Sequence, residues 1–286
     1  MAKIDGDTRV TGIIGKSLSH SLSPFLHNNV YKKLEKPYIY VPFPVEGAEN
    51  LKDVLKGLMN AGALGFNVTV PYKEDVVKII DRLSEDAQII GAVNVIHFKN
   101  GAIKGYNTDG AGFILNLKND LKFELKDKNI LILGAGGSAR AVIYSLAKEN
   151  ASGLTIANRT ISKAEDISRK FSPFFKKTNF LISGLNFPKL NLKEYDLIIN
   201  CTSSSLNNYN LNFPFHLLKK KTIVSDLIYP LKKSPFLIEA KKKGHRVVDG
   251  LLMLAYQAAL SFEIWFDTAP PFDLYKKYAL KSKKCQ

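Results

Sequence analysis

The sequence predicts an α/β protein of two domains, and three observations carry that reading. Short apolar runs of strand length recur along the chain, most of them closed by a glycine, proline or polar turn and followed by a helical pattern, as in strands that alternate with helices. The stretch Ile130-Leu131-Ile132-Leu133-Gly134-Ala135-Gly136-Gly137-Ser138-Ala139-Arg140 passes from an apolar run through glycines into helix formers. A length of 286 residues allows one large domain or two of medium size.

Taken in order, Val10-Thr11-Gly12-Ile13-Ile14-Gly15 reads as a strand, followed by a polar turn rich in serine. Ser23 before Pro24 fits an N-cap followed by proline at the first helical position, and Phe25, Leu26, Val30 and Leu34 recur at helical spacing. Hydroxyls beside a helix N-terminus suit a carboxylate, although a cap alone would also explain Ser23. A strand over residues 38–43 and a helix over 48–60 follow. In Phe66-Asn67-Val68-Thr69-Val70, alternation puts Asn67 and Thr69 on one strand face. Polar groups on such a face serve either a ligand or a hydrogen-bonded core network. Lys73 comes at the carboxyl end of that strand, where open α/β sheets bind ligands.

A helix over 74–83 leads to a predicted strand over 91–96 with Asn94 as its polar member, and Asn100-Gly101 signals a hairpin with 103–106. Asn107-Thr108-Asp109-Gly110 then opens a helix over 111–121. Asp109 either caps that helix or faces the place where two domains meet.

In the second half, a strand apolar on both faces is one buried in a parallel sheet. Gly134, Gly136 and Gly137, having no Cβ, allow a sharp turn and a close approach to a phosphate, with Ala135 and Ser138 in the same turn. The helix over 139–148 would aim free N–H groups and its dipole at a pyrophosphate. A plain tight turn would use the same glycines, and the next strand sharpens the choice. Leu154-Thr155-Ile156-Ala157 ends at Asn158-Arg159-Thr160, about 20 residues on, where a dinucleotide fold contacts the adenosine ribose. An acidic residue there would accept from a 2′-hydroxyl. Arg159, a fixed cation, suits a 2′-phosphate, so the expected cofactor is NADP; a solvated arginine is the plain alternative.

Further strands are expected over 195–200, 222–226 and 246–250. The first ends in the small polar loop Cys201-Thr202-Ser203-Ser204-Ser205, suited to lie against nicotinamide and ribose, and the second runs into Leu227-Ile228-Tyr229. The apolar helix over 251–266 has Gln257 as its polar exception, a good amide ligand if it faces a cleft.

Bulk properties exclude several classes. Hydrophobic residues at 45% and charged residues at 23% are those of an ordinary globular chain. No apolar run reaches the ~20 residues of a membrane span, and the amino terminus lacks an apolar signal segment, so a cytoplasmic protein is expected. The two cysteines and five histidines show no metal-ligand or disulfide spacing. The net charge of +15 comes from lysines spread in short clusters without interleaved aromatics; nucleic-acid binding is not expected, although the field would draw in anionic ligands.

Several separated motifs, in this order, make the chain resemble the NADP-dependent shikimate dehydrogenase family along nearly its whole length: His20-Ser21-Leu22-Ser23-Pro24, Asn67-Val68-Thr69-Val70-Pro71-Tyr72-Lys73, Ala92-Val93-Asn94, Asn107-Thr108-Asp109-Gly110, the glycine turn, Asn158-Arg159-Thr160, and Asp249-Gly250 with Gln257. The resemblance implies a mainly parallel amino-terminal α/β substrate domain, residues 1–109, completed by the carboxyl-terminal helices of 250–286, and a Rossmann-type NADP-binding domain, residues 110–249, with a cleft between them. It implies that Ser21, Ser23 and Tyr229 hold the substrate carboxylate, and that Asn67, Thr69, Asn94, Asp109 and Gln257 surround the ring hydroxyls. Lys73 is then the general acid/base, with Asp109 as its partner. Glu85, Lys163, Leu227 and Gly250 join Gly134, Ala135, Gly136, Gly137, Ser138, Asn158, Arg159, Thr160, Thr202 and Ser203 around the cofactor.

Val95, Ser205 and Leu252 depart from the family pattern, which more often has threonine, glycine and glycine there. The implied activity is reversible NADPH-linked reduction of 3-dehydroshikimate to shikimate in aromatic amino acid (chorismate) biosynthesis, by a monomer or homodimer acting on a small molecule without a metal. The alternatives are a quinate/shikimate dehydrogenase using NAD, disfavoured by Arg159, and a non-catalytic NADP-responsive binding protein, disfavoured by retention of Lys73 and Asp109.

Overall fold

In chain order the elements are β1 (Arg9–Gly15), α1 (Ser23–Lys33), β2 (Tyr38–Pro44), α2 (Leu51–Asn60), β3 (Gly65–Val68), β4 (Arg82–Leu83), α3 (Glu85–Ile90), β5 (Val95–Lys99), β6 (Ala102–Tyr106) and α4 (Asp109–Leu115). There follow β7 (Asn129–Leu133), α5 (Gly137–Lys148), β8 (Gly153–Ala157), α6 (Ile161–Phe171), β9 (Asn179–Ser183), β10 (Leu197–Asn200), β11 (Ile223–Asp226), α7 (Pro235–Lys242), β12 (Arg246–Val248), α8 (Leu251–Phe266) and α9 (Phe272–Ser282). This computed structural model describes residues 4–204, 209–229 and 234–282, so Ser205 lies outside the described residues. The chain divides into two compact units, Met1–Gly112 with Leu254–Gln286, and Phe113–Met253.

The first unit holds a mixed sheet in the order β2-β1-β3-β5-β6-β4. β1 pairs in parallel with β2 and β3, while β5 pairs antiparallel with β3 and with β6, the hairpin partner that Asn100-Gly101 signals. Its core gathers Ile14, Leu51, Leu55, Phe66, Val68, Val93 and Ile96. Four local expectations change. Ser23 is the first residue of α1 instead of its cap; the Ser21 hydroxyl accepts from Ser23 N–H at 3.3 Å. Residues 74–83 form only a 3-10 turn, Asp75–Ile79, before β4, because the segment bonds β6 instead of itself: Asp81 N–H donates to Ile103 O at 3.0 Å and Asp81 Oδ2 accepts from Ile103 N–H at 2.8 Å. Tertiary pairing overrides helix propensity there. Ser84 then caps α3, which Gly91 ends in the left-handed conformation, so the strand expected over 91–96 begins at Val95 and Asn94 stands just before it. The strand expected over 66–70 stops at Val68, leaving Thr69 in the turn that leads to Lys73.

The second unit holds a sheet in the order β12-β11-β10-β7-β8-β9, parallel at every pairing. Numbered from β7 this is the Rossmann order 3-2-1-4-5-6, in which the strand order reverses between β7 and β10. Ile130, Leu131, Ile132 and Leu133 are fully buried, as a strand covered on both faces requires. β9, which the sequence reading did not foresee, is an edge strand with Leu181 half in solvent, so it lacks the apolar density of its neighbours.

Candidate active site

In the first unit a set of polar side chains converges between β3, the start of β5, the start of α4 and α8. Lys73 follows the turn after β3, and its carbonyl accepts from Val93 N–H at 2.8 Å, which fixes its backbone. Its ammonium donates to Asp109 Oδ2 at 2.6 Å, and the two side chains are only 12% and 7% exposed. At such burial each charge needs its partner, because removing one strands the other away from water.

Asn94 closes the other side of the carboxylate. Its Nδ2 donates to Asp109 Oδ1 at 2.8 Å and lies 3.0 Å from Thr108 Oγ1 and 3.2 Å from Gln257 Oε1, while its Oδ1 accepts from Thr108 N–H at 2.8 Å. Asn67, on β3, donates through Nδ2 to Asn94 O at 3.1 Å and to Ser261 Oγ at 2.9 Å, and accepts at Oδ1 from Tyr40 OH at 2.8 Å. A continuous buried chain therefore runs Tyr40, Asn67, Asn94, Asp109, Lys73. Tyr40 and Ser261 were missed in the sequence, where a tyrosine in a strand and a serine in an apolar helix carry no signal of their own. Val95 is fully buried in β5 in register with Asn67 and carries no hydroxyl to add to this network.

Ser21 is half-buried and Ser23 buried at the start of α1, whose first turn contains no acidic residue. Thr69 is half-buried, its N–H bonded to Ile14 O at 2.9 Å. Among the substrate set, Tyr229 alone lies in the second unit, half-buried beyond β11.

The second unit gathers the expected cofactor residues at the carboxyl edge of its sheet. Gly134 sits at φ +111°, a conformation that disfavours any side chain, and turns β7 toward α5. Gly136 is the N-cap of α5, no side chain caps that helix, and a Cβ there would meet open space. The uncapped N–H groups of a twelve-residue helix beside an open backbone fit a pyrophosphate. Ala135 is buried, whereas Gly137 and Ser138 are half-buried in the same turn. At the end of β8, Asn158 Nδ2 bonds Thr160 O at 2.8 Å, and Arg159, Thr160 and Lys163 are exposed around the N-terminus of α6, which has no side-chain cap or acidic first turn. Arg159 has no acidic partner among the described residues, so this cluster fits a 2′-phosphate.

Thr202 is half-buried and Ser203 exposed after β10, and Leu227 follows β11. Gly250 packs on Leu227 so closely that a Cβ would stand 2.0 Å from Leu227 O. Glu85 is exposed in the first turn of α3 and belongs to the first unit, whereas the other expected cofactor residues belong to the second. Leu252 is half-buried in the first turn of α8. Among the described residues no group of histidine, cysteine and acidic side chains is arranged to hold a metal, and no helix is long and apolar enough to cross a membrane.

A Rossmann-type unit with an uncapped glycine turn, and an α/β unit with a buried lysine–aspartate pair, define a two-domain nucleotide-dependent oxidoreductase. Family profiles agree: the shikimate dehydrogenase substrate binding domain matches residues 13–96, shikimate/quinate 5-dehydrogenase matches 117–230, and the shikimate 5′-dehydrogenase C-terminal domain matches 250–277. The NADP(+) shikimate dehydrogenase of Methanococcus aeolicus is 44% identical over 276 residues, 96% of this chain and 97% of that one. A shikimate dehydrogenase solved with NADP+ superposes with a TM-score of 0.88 at 38% identity, covering 98% of both chains. The Thermus thermophilus enzyme solved with NADP(H) and shikimate does so at 0.83 and 31% identity, over 96% of this chain and 99% of that one. The chain belongs to the shikimate dehydrogenase family.

Proposed function

We propose that this chain interconverts 3-dehydroshikimate and shikimate with NADP, a step of aromatic amino acid (chorismate) biosynthesis, and that Lys73 is its general acid/base with Asp109 as partner. The observation that carries the assignment of roles is the Lys73–Asp109 contact of 2.6 Å in a site sealed from most solvent. Bound NADPH supplies the hydride to the ketone carbon. The ketone oxygen then gains negative charge and takes a proton from the Lys73 ammonium, and in the reverse direction the Lys73 amine takes the hydroxyl proton. Asp109 holds that ammonium in one place and stabilises its charge, while Asn94, bonded to the second carboxylate oxygen, prevents the carboxylate from turning away.

Around this centre, the hydroxyls of Ser21 and Ser23 at the start of α1 suit the substrate carboxylate, because a helix N-terminus presents unpaired N–H groups and positive potential. Thr69 and Gln257 suit the ring hydroxyls. Asn67 contributes by fixing the Asn94 carbonyl. On the second unit, the Gly134–Gly137 turn suits the pyrophosphate and the Arg159, Thr160 and Lys163 cluster suits the 2′-phosphate. The test is the absorbance of reduced nicotinamide when the purified chain is given shikimate with NADP+ or NAD+. Shikimate-dependent reduction of NADP+, abolished or severely slowed in Lys73→Ala, is the expected result; no reduction by the unmodified chain would overturn the reading.

A further inference from the structure

The last residues of β10 and β11, Asn200 and Asp226, lie side by side in parallel register, and both are almost completely buried. Asn200 Nδ2 donates to Asp226 Oδ2 at 3.0 Å. A buried carboxylate is costly unless several donors converge on it. Here the same oxygen accepts from Ser234 Oγ at 2.7 Å, and Oδ1 accepts from Ile228 N–H at 3.1 Å. The amide side is equally committed: Asn200 Oδ1 accepts from Thr202 N–H at 3.1 Å and from Thr202 Oγ1 at 2.7 Å, and its Nδ2 lies 3.2 Å from Ser204 Oγ.

This pair therefore ties three segments together. One is the loop with Thr202 and Ser203. Another follows β11, where Leu227 N–H also donates to Asn200 O at 3.1 Å. The third is the start of α7, capped by Ser234, whose hydroxyl accepts from Leu237 N–H at 3.1 Å. The first loop packs directly on the glycine turn: a Cβ at Gly134 would stand 3.2 Å from the Cys201 carbonyl. The second meets Gly250, whose N–H donates to Ile228 O at 2.9 Å. Burial, and then the Asp226 charge, push the Cys201 thiol far above its usual range, so the cysteine stays neutral.

We infer that Asn200 and Asp226 are a positioning pair that sets the loops receiving the nicotinamide half of the cofactor, without touching the adenosine half. The inference rests on the dinucleotide reading of this sheet edge. Its logic is one of complementarity: a donor amide faces an acceptor carboxylate, so either residue changed alone breaks the match and a reciprocal exchange restores it. In Asp226→Asn an amide N–H meets the Asn200 N–H, or its rotation costs the Ile228 contact. In Asn200→Asp two carboxylates meet in a buried site.

The experiment compares D226N, N200D and the double exchange N200D/D226N with the unmodified chain, measuring NADP+ KM and kcat together with the affinity for adenosine 2′-monophosphate, a fragment of the adenosine end with no phosphate for the glycine turn. Each single variant is expected to raise NADP+ KM by about tenfold or more, the scale of one unmatched buried polar group, with fragment affinity within about twofold of the unmodified chain. The double exchange is expected to recover most of the loss. If D226N binds NADP+ normally, or loses fragment and whole cofactor equally, or if the double exchange is no better than the worse single variant, the pair is not a positioning device. Should the single variants fail to fold, the double exchange decides: near-native NADP+ KM supports the pairing, and failure of that protein too overturns it. An unmodified chain that binds the fragment but not NADP+, or neither, would instead refute the cofactor reading itself.

Discussion

Tyr40 donates its phenolic hydrogen to Asn67 Oδ1 at 2.8 Å, and this bond decides which way the Asn67 amide faces. With the oxygen held by Tyr40, the amide nitrogen points at Asn94 O and Ser261 Oγ. The position of Asn94, and through it that of the Asp109 carboxylate, depends on a tyrosine that is itself 1% exposed.

Tyr40→Phe removes this donor and leaves Asn67 Oδ1 short of a partner in a buried site. The expected cost is about 1–3 kcal/mol of folding stability, measured by urea unfolding. Because one of the three bonds that fix the amide is then lost, shikimate KM should rise while NADP+ KM stays the same. Ser261→Ala should act in the same direction and more weakly, since Asn94 O still holds the amide.

Lys73→Ala should lower kcat by about 10²–10⁴, the range for loss of a general acid–base group, with a smaller change in shikimate KM. Steady-state rates in both directions check it. Unchanged turnover would remove Lys73 from the proton transfer.

Arg159→Asp should raise the KM for NADP+ far more than that for NAD+, because the new carboxylate repels the 2′-phosphate and can accept from a 2′-hydroxyl. Parallel titrations of both cofactors at fixed shikimate give the ratio. An equal effect on the two would show that the arginine does not meet the phosphate.

His27 provides a pH dependence outside the site. It is fully buried, stacked on Tyr40 at 4.3 Å and bonded through Nδ1 to Tyr275 OH at 2.6 Å. Burial lowers its pKa from 6.5 to about 3. The folded chain thus keeps the ring neutral while the unfolded chain protonates it below about 6.5, so stability is unaffected by this group above that pH. As pH falls from 6.5 toward 3, each unit should cost about 1.4 kcal/mol through this one group. Urea unfolding at a series of pH values should show the slope, and His27→Phe should flatten it whatever its effect at neutral pH.

Much of the second unit is legible along the chain because its signals are local. A strand buried on both faces must be apolar in every position, and a turn at positive φ favours glycine, so residues 130–137 announce both at once. The first unit is less so. Its helix expected over 74–83 dissolves because the backbone of Asp81 and Ser84 finds β6 across the sheet, and no window of sequence contains that partner. Ser23 shows the same limit on a smaller scale: the motif is right, but the hydroxyl that accepts the backbone N–H belongs to Ser21.

Residue types and their order along the chain determined the family, the nucleotide fold and the lysine and aspartate assigned to the chemistry, since those properties reside in single side chains and short motifs. Tertiary structure alone decided that Asn94 grips the second oxygen of Asp109, that Tyr40 and Ser261 orient Asn67, and that Asn200 and Asp226 meet at the ends of adjacent strands. Each of these is a hydrogen bond between residues distant in sequence, and the energy of such a bond depends on a separation of a few tenths of an ångström that only the folded chain sets.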